Sequence, residues 1–355
     1  MMKKDKKQED QNIINISELG EFKLIDILTA DFKPVLKSTI TAIGDDTAVI
    51  DCGDKAMLIT KDLLVEGIHF DIAYTPLKHL GYKSVVVNLS DIYAMNGTPT
   101  QIVVGIAISS RYTVDALKEF YEGIKLACDK YKVDLVGGDT CSSASGLFIS
   151  VTAVGTVDKD KITYRKGAKK NDLICVSGNL GAAYAGLLVL QREKKVFMAN
   201  PNSQPDIENY SYVLERQLKP EASKFIIEQL NEMSILPTSM IDVSDGLASE
   251  IMHICKNSRT GAYLYEDKIP IDPETISVAE EFNISPVTFA LSGGEDYELL
   301  FTVGQEHFEK LQNNPYIKII GYITNVCDGL NIITADGKQI PLRAQGWDAF
   351  KNNRV

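Results

Sequence analysis

At 355 residues, 45% of them hydrophobic, the chain exceeds the usual single domain and can fill more than one core. A formal net charge of −11 argues against nucleic acid, whose phosphates demand a basic face, and no apolar run approaches the ~18–20 residues of a membrane span. Six cysteines without a C-x-x-C pair and four histidines without H-E-x-x-H argue against zinc and for reduced thiols in a cytoplasmic protein.

The start, "MMKKDKKQEDQN", is charged with no apolar stretch behind it; it is no secretory signal, and residues 1–16 read as a disordered tail. "AIGDDTAVI" (42–50) interrupts an apolar run with two aspartates, which are poor strand residues and costly to bury unpaired. A turn between strands accounts for them locally. "AMLITKDLLV" (56–65) is β-rich on either side of Lys61-Asp62, and "SVVVNLSDIYAMNGTP" (84–99) either opens a helix or closes a strand. "IVVGIAISS" (102–110) reads as a strand, and "TVDALKEFYEGIKLACDKY" (113–131) carries Leu117, Phe120, Tyr121, Ile124, Ala127, Cys128 and Tyr131 at helical spacing. "VDLVGGDT" (133–140) reads as a buried strand ending in a glycine turn, and "LFISVTAVGTV" (147–157) as a further strand.

Near residue 160 the apolar pattern lapses, which divides the chain into an N-terminal domain, 17–160, and a C-terminal domain, 161–355. The second begins with strand, glycine turn and helix in "DLICVSGNLGAAYAGLLVLQ" (172–191), and "NPNSQPDIENY" (200–210) is a polar loop. "SMIDVSDGLASEIMHICKNS" (239–258) runs from an apolar lead-in through an acidic turn into an amphipathic helix. "TFALSGGEDYELLFTV" (288–303) places another acidic glycine turn between β-rich runs. The fold class is α/β (or α+β) in two domains.

Five stretches share one grammar, an apolar run broken by aspartate near glycine or serine: "GDD" (44–46), "TKD" (60–62), "NLSD" (88–91), "GGD" (137–139) and "DVSD" (242–245). Each alone is ordinary turn chemistry. Together, at the ends of predicted elements, they point to carboxylates converging on one cleft. The chemistry that needs such a set is Mg²⁺-dependent phosphoryl transfer, because Mg²⁺ takes oxygen ligands and bridges carboxylates to phosphates. Neither G-x-x-x-x-G-K-[ST] nor a Rossmann glycine fingerprint is present, so a nucleotide binds by another route.

In this order the stretches "IGDDTAV", "KDLLVEGIHF", "VNLSDIYAMNGTP", "LVGGDT", "YRKGAKKNDLICVSGNLG", "IDVSDGL", "SGGEDYEL" and "GWDAF" resemble the thiamine-monophosphate kinases. These belong to the superfamily of aminoimidazole-ribonucleotide synthetase and selenophosphate synthetase. The resemblance runs from "GEFKLI" (20–25) almost to the C-terminus. It implies transfer of the ATP γ-phosphate to thiamine monophosphate, an N-terminal sheet that pairs with a second subunit's into a dimeric barrel, and a C-terminal α/β domain covering it.

By the same resemblance Asp46, Thr60, Asp62, Asp91, Asp139, Asp242 and Asp245 hold several Mg²⁺ ions, with Asp45 the alternative to Asp46. Tyr121, Gly138, Asp139, Arg165 and Ser244 bind ATP, and a guanidinium at Arg165 suits phosphate geometry independently. His69, Glu295 (or Asp296) and Trp347 hold the acceptor, the indole offering a flat face to a cationic ring. No acid or base is assigned, since an already ionised phosphate acceptor hardly needs deprotonation.

Lys61 replaces a usual small hydroxyl residue, and "GGDTCSSASGL", "LKPEASKF" and "GWDAF" each lack a common basic residue or histidine. Selenophosphate synthesis is disfavoured because no reactive cysteine motif precedes "IGDDTAV"; amidine-forming synthetases are disfavoured by "LVEGIHF". A non-catalytic nucleotide-binding regulator would have lost metal ligands, and none is lost.

Overall fold

The computed structural model describes residues 21–343, so the tail at 1–16 and Trp347 lie outside the described residues. Helix α1, Glu21–Thr29, belongs to one compact unit, and the described chain from Leu36 onward forms another. The second unit contains two sheets. In the first the order is β1-β2-β3-β6-β4-β5, built from Thr39–Thr41, Ala48–Cys52, Lys55–Val65, Leu147–Asp158, Thr98–Ile108 and Asp134–Ser142. All its pairs are antiparallel except β4 with β5. The central β3–β6 pair runs in unbroken register from Lys55↔Asp158 to Val65↔Phe148.

One face of this sheet is covered by helices α2 (Leu77–Ala94) and α3 (Val114–Tyr131). Both kinds of helix are legible from their residues. In α3 the Thr113 hydroxyl accepts the Ala116 N–H at 3.1 Å as N-cap, and Lys132 in the left-handed region ends the helix. In α2 nearly every residue from Leu80 to Ala94 is buried, the mark of a helix enclosed on all sides. The two helices touch backbone to backbone through reciprocal glycines. A Cβ on Gly81 would lie 1.9 Å from the Phe120 carbonyl oxygen, and one on Gly123 1.9 Å from that of Lys78.

The second sheet has the order β13-β12-β9-β11-β7-β10-β8, formed by Gln339–Pro341, Leu330–Ile333, Thr260–Tyr265, Ile317–Asn325, Leu173–Ser177, Leu299–Val303 and Ser239–Asp242. Its pairs too are antiparallel, apart from β9 with β12. Helices α4 (Ala182–Ala199), α5 (Ser211–Leu218), α6 (Lys224–Glu232), α7 (Leu247–Ser258), α8 (Pro273–Glu281), α9 (Pro286–Ser292) and α10 (Phe308–Leu311) complete this half. One core runs from Leu58, Ile149 and Val151 of the first sheet through α2 to Met240, Leu299 and Phe301 of the second. The mixed α/β class therefore takes the form of two largely antiparallel sheets joined through α2.

Two expectations about local structure change, and one open alternative is decided. Residues 133–140 do not end in a glycine turn: β5 runs straight through Gly137, Gly138 and Asp139 and is exposed along its whole length, because it is an edge strand that none of the described residues covers. Of the two alternatives for residues 84–94 the helix holds, as the end of α2; burial on every side overrides the β-branched run at Val85–Val87. In 288–303 the first apolar run is helix α9, which starts at Pro286 in its favoured first-turn position, and only the second run is a strand.

Candidate active site

Alternation along β3 decides which of its residues can act together. Ala56, Leu58, Thr60, Asp62 and Leu64 face the α2 side, while Lys61 and Leu63 face the other way. Lys61 therefore points away from the carboxylates. On α2, Asp91 takes a 2.5 Å hydrogen bond from the Thr60 hydroxyl, and the Asn88 side-chain oxygen accepts the Asp62 N–H at 3.0 Å. One residue along, the Ser90 hydroxyl donates to Asp242 Oδ2 at 2.6 Å, joining α2 to the end of β8 in the second sheet.

Asp46 arrives from the turn before β2. Arg165 donates to its Oδ1 through both Nε, at 3.1 Å, and Nη2, at 2.6 Å. Its neighbour Asp45 faces elsewhere and accepts the backbone N–H groups of Arg165 and Asp46, at 3.1 and 3.2 Å. The first aspartate of the pair shapes the turn and the second faces the cleft. Carboxylate oxygens of Asp46, Asp91 and Asp242 all lie within 4.8 Å of one another.

Such a cluster is electrostatically expensive. Two carboxylates at that spacing repel by about 3.5 kcal/mol at an effective dielectric of ~20. Burial, followed by the neighbouring Asp62, Asp242 and Asp46 charges, drives the Asp91 pKa well up. Burial and the Asp46 charge push Asp242 up to about 7. Burial also raises Asp46, against the pull of Arg165. A single guanidinium does not balance three carboxylates, and Asp46 Oδ2 is buried with no hydrogen-bond partner among the described residues. An all-oxygen donor set with an unsatisfied buried carboxylate oxygen fits a hard divalent cation.

Beyond β8, Ser244 is exposed and Asp245 half-buried. Glu250, in the first turn of α7, holds them: its Oε1 accepts the Asp245 N–H at 3.0 Å and lies 3.5 Å from the Ser244 hydroxyl. Burial and the Asp245 charge drive Glu250 well above the usual carboxylate range.

A second group adjoins this one. His69 Nδ1 accepts the Val65 N–H at 3.0 Å, so its neutral ring carries the proton on Nε2 and presents a donor there. Burial lowers the His69 pKa, against the pull of Glu295. Glu295 sits at φ 66°, in the left-handed region, and its N–H donates to the Ser244 carbonyl at 2.7 Å. Asp296 points differently: fully buried, it accepts the N–H groups of Gly181 and Ala183, at 2.6 and 3.3 Å, where α4 begins. That carboxylate already occupies the helix N-terminus in "SGNLG", so the glycine turn is no phosphate cradle.

Asp46, Thr60, Asp62, Asp91, Asp242 and Arg165 are thus brought together, with Ser244 and Asp245 following on from β8. Asp139 is not among them. It lies on exposed β5, three strands from β3, and its Oδ1 accepts its neighbour's Thr140 N–H at 2.9 Å. Gly138 lies beside it. Tyr121 is half-buried on α3 with its ring edge-on to Phe120, 5.7 Å between centroids. The site also uses Asn88, Ser90 and Glu250, which motif reading passed over. Ser90 and Asn88 lie inside "NLSD", and Glu250 was traceable as an acid in the first turn of the helix after "DVSDG".

Residues 44–157 match the family model "AIR synthase related protein, N-terminal domain". The thiamine-monophosphate kinase of Buchnera aphidicola subsp. Schizaphis graminum is 37% identical over 343 residues, covering 94% of this chain and 99% of that protein. The Aquifex aeolicus enzyme of the same name is 33% identical over 338 residues, covering 95% and 100%. Among solved structures, "AaThiL complexed with AMPPCP and TMP" superposes with a TM-score of 0.79 at 31% identity, covering 95% of this chain and 99% of that one.

Proposed function

This chain belongs to the thiamine-monophosphate kinase family, and we propose that it transfers the γ-phosphate of ATP in line to thiamine monophosphate, giving thiamine diphosphate and ADP. The observation that carries the reading is the convergence of Asp46, Asp91 and Asp242 within 4.8 Å in a chain that keeps the family's motifs over nearly its whole length. Solved "AaThiL" holds AMPPCP and TMP together, which supports ATP and thiamine monophosphate as the two substrates here.

In this reading Asp46, Asp62, Asp91, Asp242 and Asp245, with the Thr60 hydroxyl, hold Mg²⁺, which when bound neutralises charge on the transferring phosphoryl group. The chain's own part is positional. Thr60 and Ser90 orient Asp91 and Asp242, Glu250 sets the Asp245 backbone, and Arg165 stands ready for ATP phosphate with Ser244, while Gly138 on β5 and Tyr121 on α3 are the further ATP contacts of this reading. His69 directs Nε2–H at the acceptor phosphate, and Glu295 with Trp347 takes the thiamine end. No covalent intermediate is required.

The homodimer belongs to the same proposal. On the face of the first sheet away from α2, Leu63 and Val103 are 53% and 39% exposed, and edge strand β5 adds Val136 at 61%. These uncovered apolar residues support a second subunit's sheet closing a barrel there. Asp139 joins the metal set only with that dimer, since within one chain it stands three strands from Asp62. The division into domains 17–160 and 161–355 is supported by the two sheets ending and starting at Asp158 and Leu173. Free cysteines throughout the described residues support a reducing, cytoplasmic setting.

The test incubates the protein with Mg²⁺–ATP and thiamine monophosphate, with Asp62→Asn in parallel. Stoichiometric thiamine diphosphate and ADP from the wild type, lost in the variant, is the expected result. ATP binding without thiamine diphosphate sinks the proposal.

A further inference from the structure

Lys83 is a lysine in the wrong place for an ordinary one. It lies in the enclosed helix α2 at 3% exposure, where an ammonium needs a built partner set. It has one. Nζ lies 3.0 Å from Glu295 Oε2 and donates to the Gln217 backbone carbonyl at 2.9 Å, in the last turn of α5. The Gln217 side chain completes the arrangement, its Nε2 donating to the same Glu295 Oε2 at 2.9 Å.

The Lys83 ion pair and the Gln217 hydrogen bond, from two different helices, therefore meet on one oxygen of Glu295, and no hydrogen bond from the described residues reaches Oε1. The backbone beneath is set as well, by the left-handed φ and the N–H bond to Ser244. With Oε2 held from two sides the carboxylate turns less freely, while the Glu295 side chain as a whole keeps 29% of its surface exposed.

We propose that Lys83 and Gln217 are positioning residues for the acceptor: together they aim Glu295 so that its free oxygen accepts a hydrogen bond from the amino-bearing ring of the second substrate. This rests on the kinase reading above and adds the source of its acceptor specificity. Holding the ammonium and amide on Oε2 leaves the other oxygen as an acceptor alone, which favours a ring carrying an N–H donor over one carrying a carbonyl at that place.

The experiment measures kcat, KM for thiamine monophosphate and KM for ATP in the wild type, Lys83→Met, Gln217→Leu, Glu295→Gln and the double variant Lys83→Met/Glu295→Gln. Thermal melts check folding, and the analogue with a carbonyl in place of the ring amino group is run as competitor. We expect each single variant at Lys83 or Gln217 to raise KM for thiamine monophosphate about 10- to 100-fold, with KM for ATP within about twofold, and to lose discrimination against the analogue. In the Glu295→Gln background the Lys83 substitution adds nothing further. Equal loss toward both substrates, or a Lys83 effect that multiplies with that of Glu295→Gln, overturns the inference and leaves the kinase standing. Should Lys83→Met fail to fold, Gln217→Leu decides by the same criteria. A wild type that forms no thiamine diphosphate overturns the kinase reading, and this inference with it.

Discussion

Replacing Asp242 by asparagine should make the metal-free protein more stable and the enzyme dead. The side chain is 3% exposed, its Oδ2 accepts from Ser90, and Asp46 and Asp91 oxygens lie within 4.8 Å. Burial and the Asp46 charge lift its pKa from 3.8 to about 7 in the folded chain. For an acid, a folded pKa above the unfolded one means that ionisation opposes folding. The cost is absent below about pH 4, grows between the two values, and is complete above about pH 7. Three pKa units correspond to about 4 kcal/mol, an upper bound because the neighbouring carboxylates share the same protons. Asparagine keeps an acceptor for Ser90 and turns a donor toward the remaining carboxylates. Melts in chelator at pH 8 should therefore show Asp242→Asn several degrees above wild type, with the gap closing toward pH 4 and narrowing when Mg²⁺ is added to the wild type. Phosphoryl transfer should fall by at least about 10³-fold, roughly 4 kcal/mol of lost transition-state stabilisation. A variant less stable than wild type at pH 8, or one that retains turnover, would refute the reasoning.

Other substitutions separate roles that the chain places side by side. Asp296→Ala should cost about 1–2 kcal/mol in denaturant melts by uncapping α4, without the selective rise in acceptor KM expected of Glu295→Gln; a selective rise would exchange their assignments. Gly123→Ala should destabilise by about 3 kcal/mol or prevent folding, because its Cβ meets the Lys78 carbonyl; a shift below about 0.5 kcal/mol in urea titrations would contradict the backbone contact. His253 is held down to about 4 by burial and the nearby Arg165 charge, so it contributes stability above about pH 6.5 that is lost as pH falls toward 4. His253→Gln should flatten the acid side of the stability profile in that window, and an unchanged slope would remove this group from the acid response.

The sequence by itself determined which chemistry the chain is built for. The aspartate-bearing stretches, their order, and the acidic pair in "GDD" are local signals, legible because glycine and aspartate break apolar runs in recognisable ways. β-rich apolar composition placed β3 and β6, and helical spacing placed α3, on similar grounds. Tertiary structure alone decided what the carboxylates do to one another. Ser90 and Asp242 are 152 residues apart in sequence, and Arg165 and Asp46 119, yet they touch. No local pattern encodes those separations. Nor could the acidic runs reveal that Asp62 and Asp91 lie within regular elements instead of turns, because the α2 helix is decided by its burial on every side. The direction of Lys61 turned on strand alternation, the different surroundings of Glu295 and Asp296 on which of them meets the start of α4, and the ion pair of Lys83 on its being enclosed. Desolvation raises a pKa only once a fold has removed the water, so the cluster's electrostatics exist in the packed chain and nowhere in the string of residues.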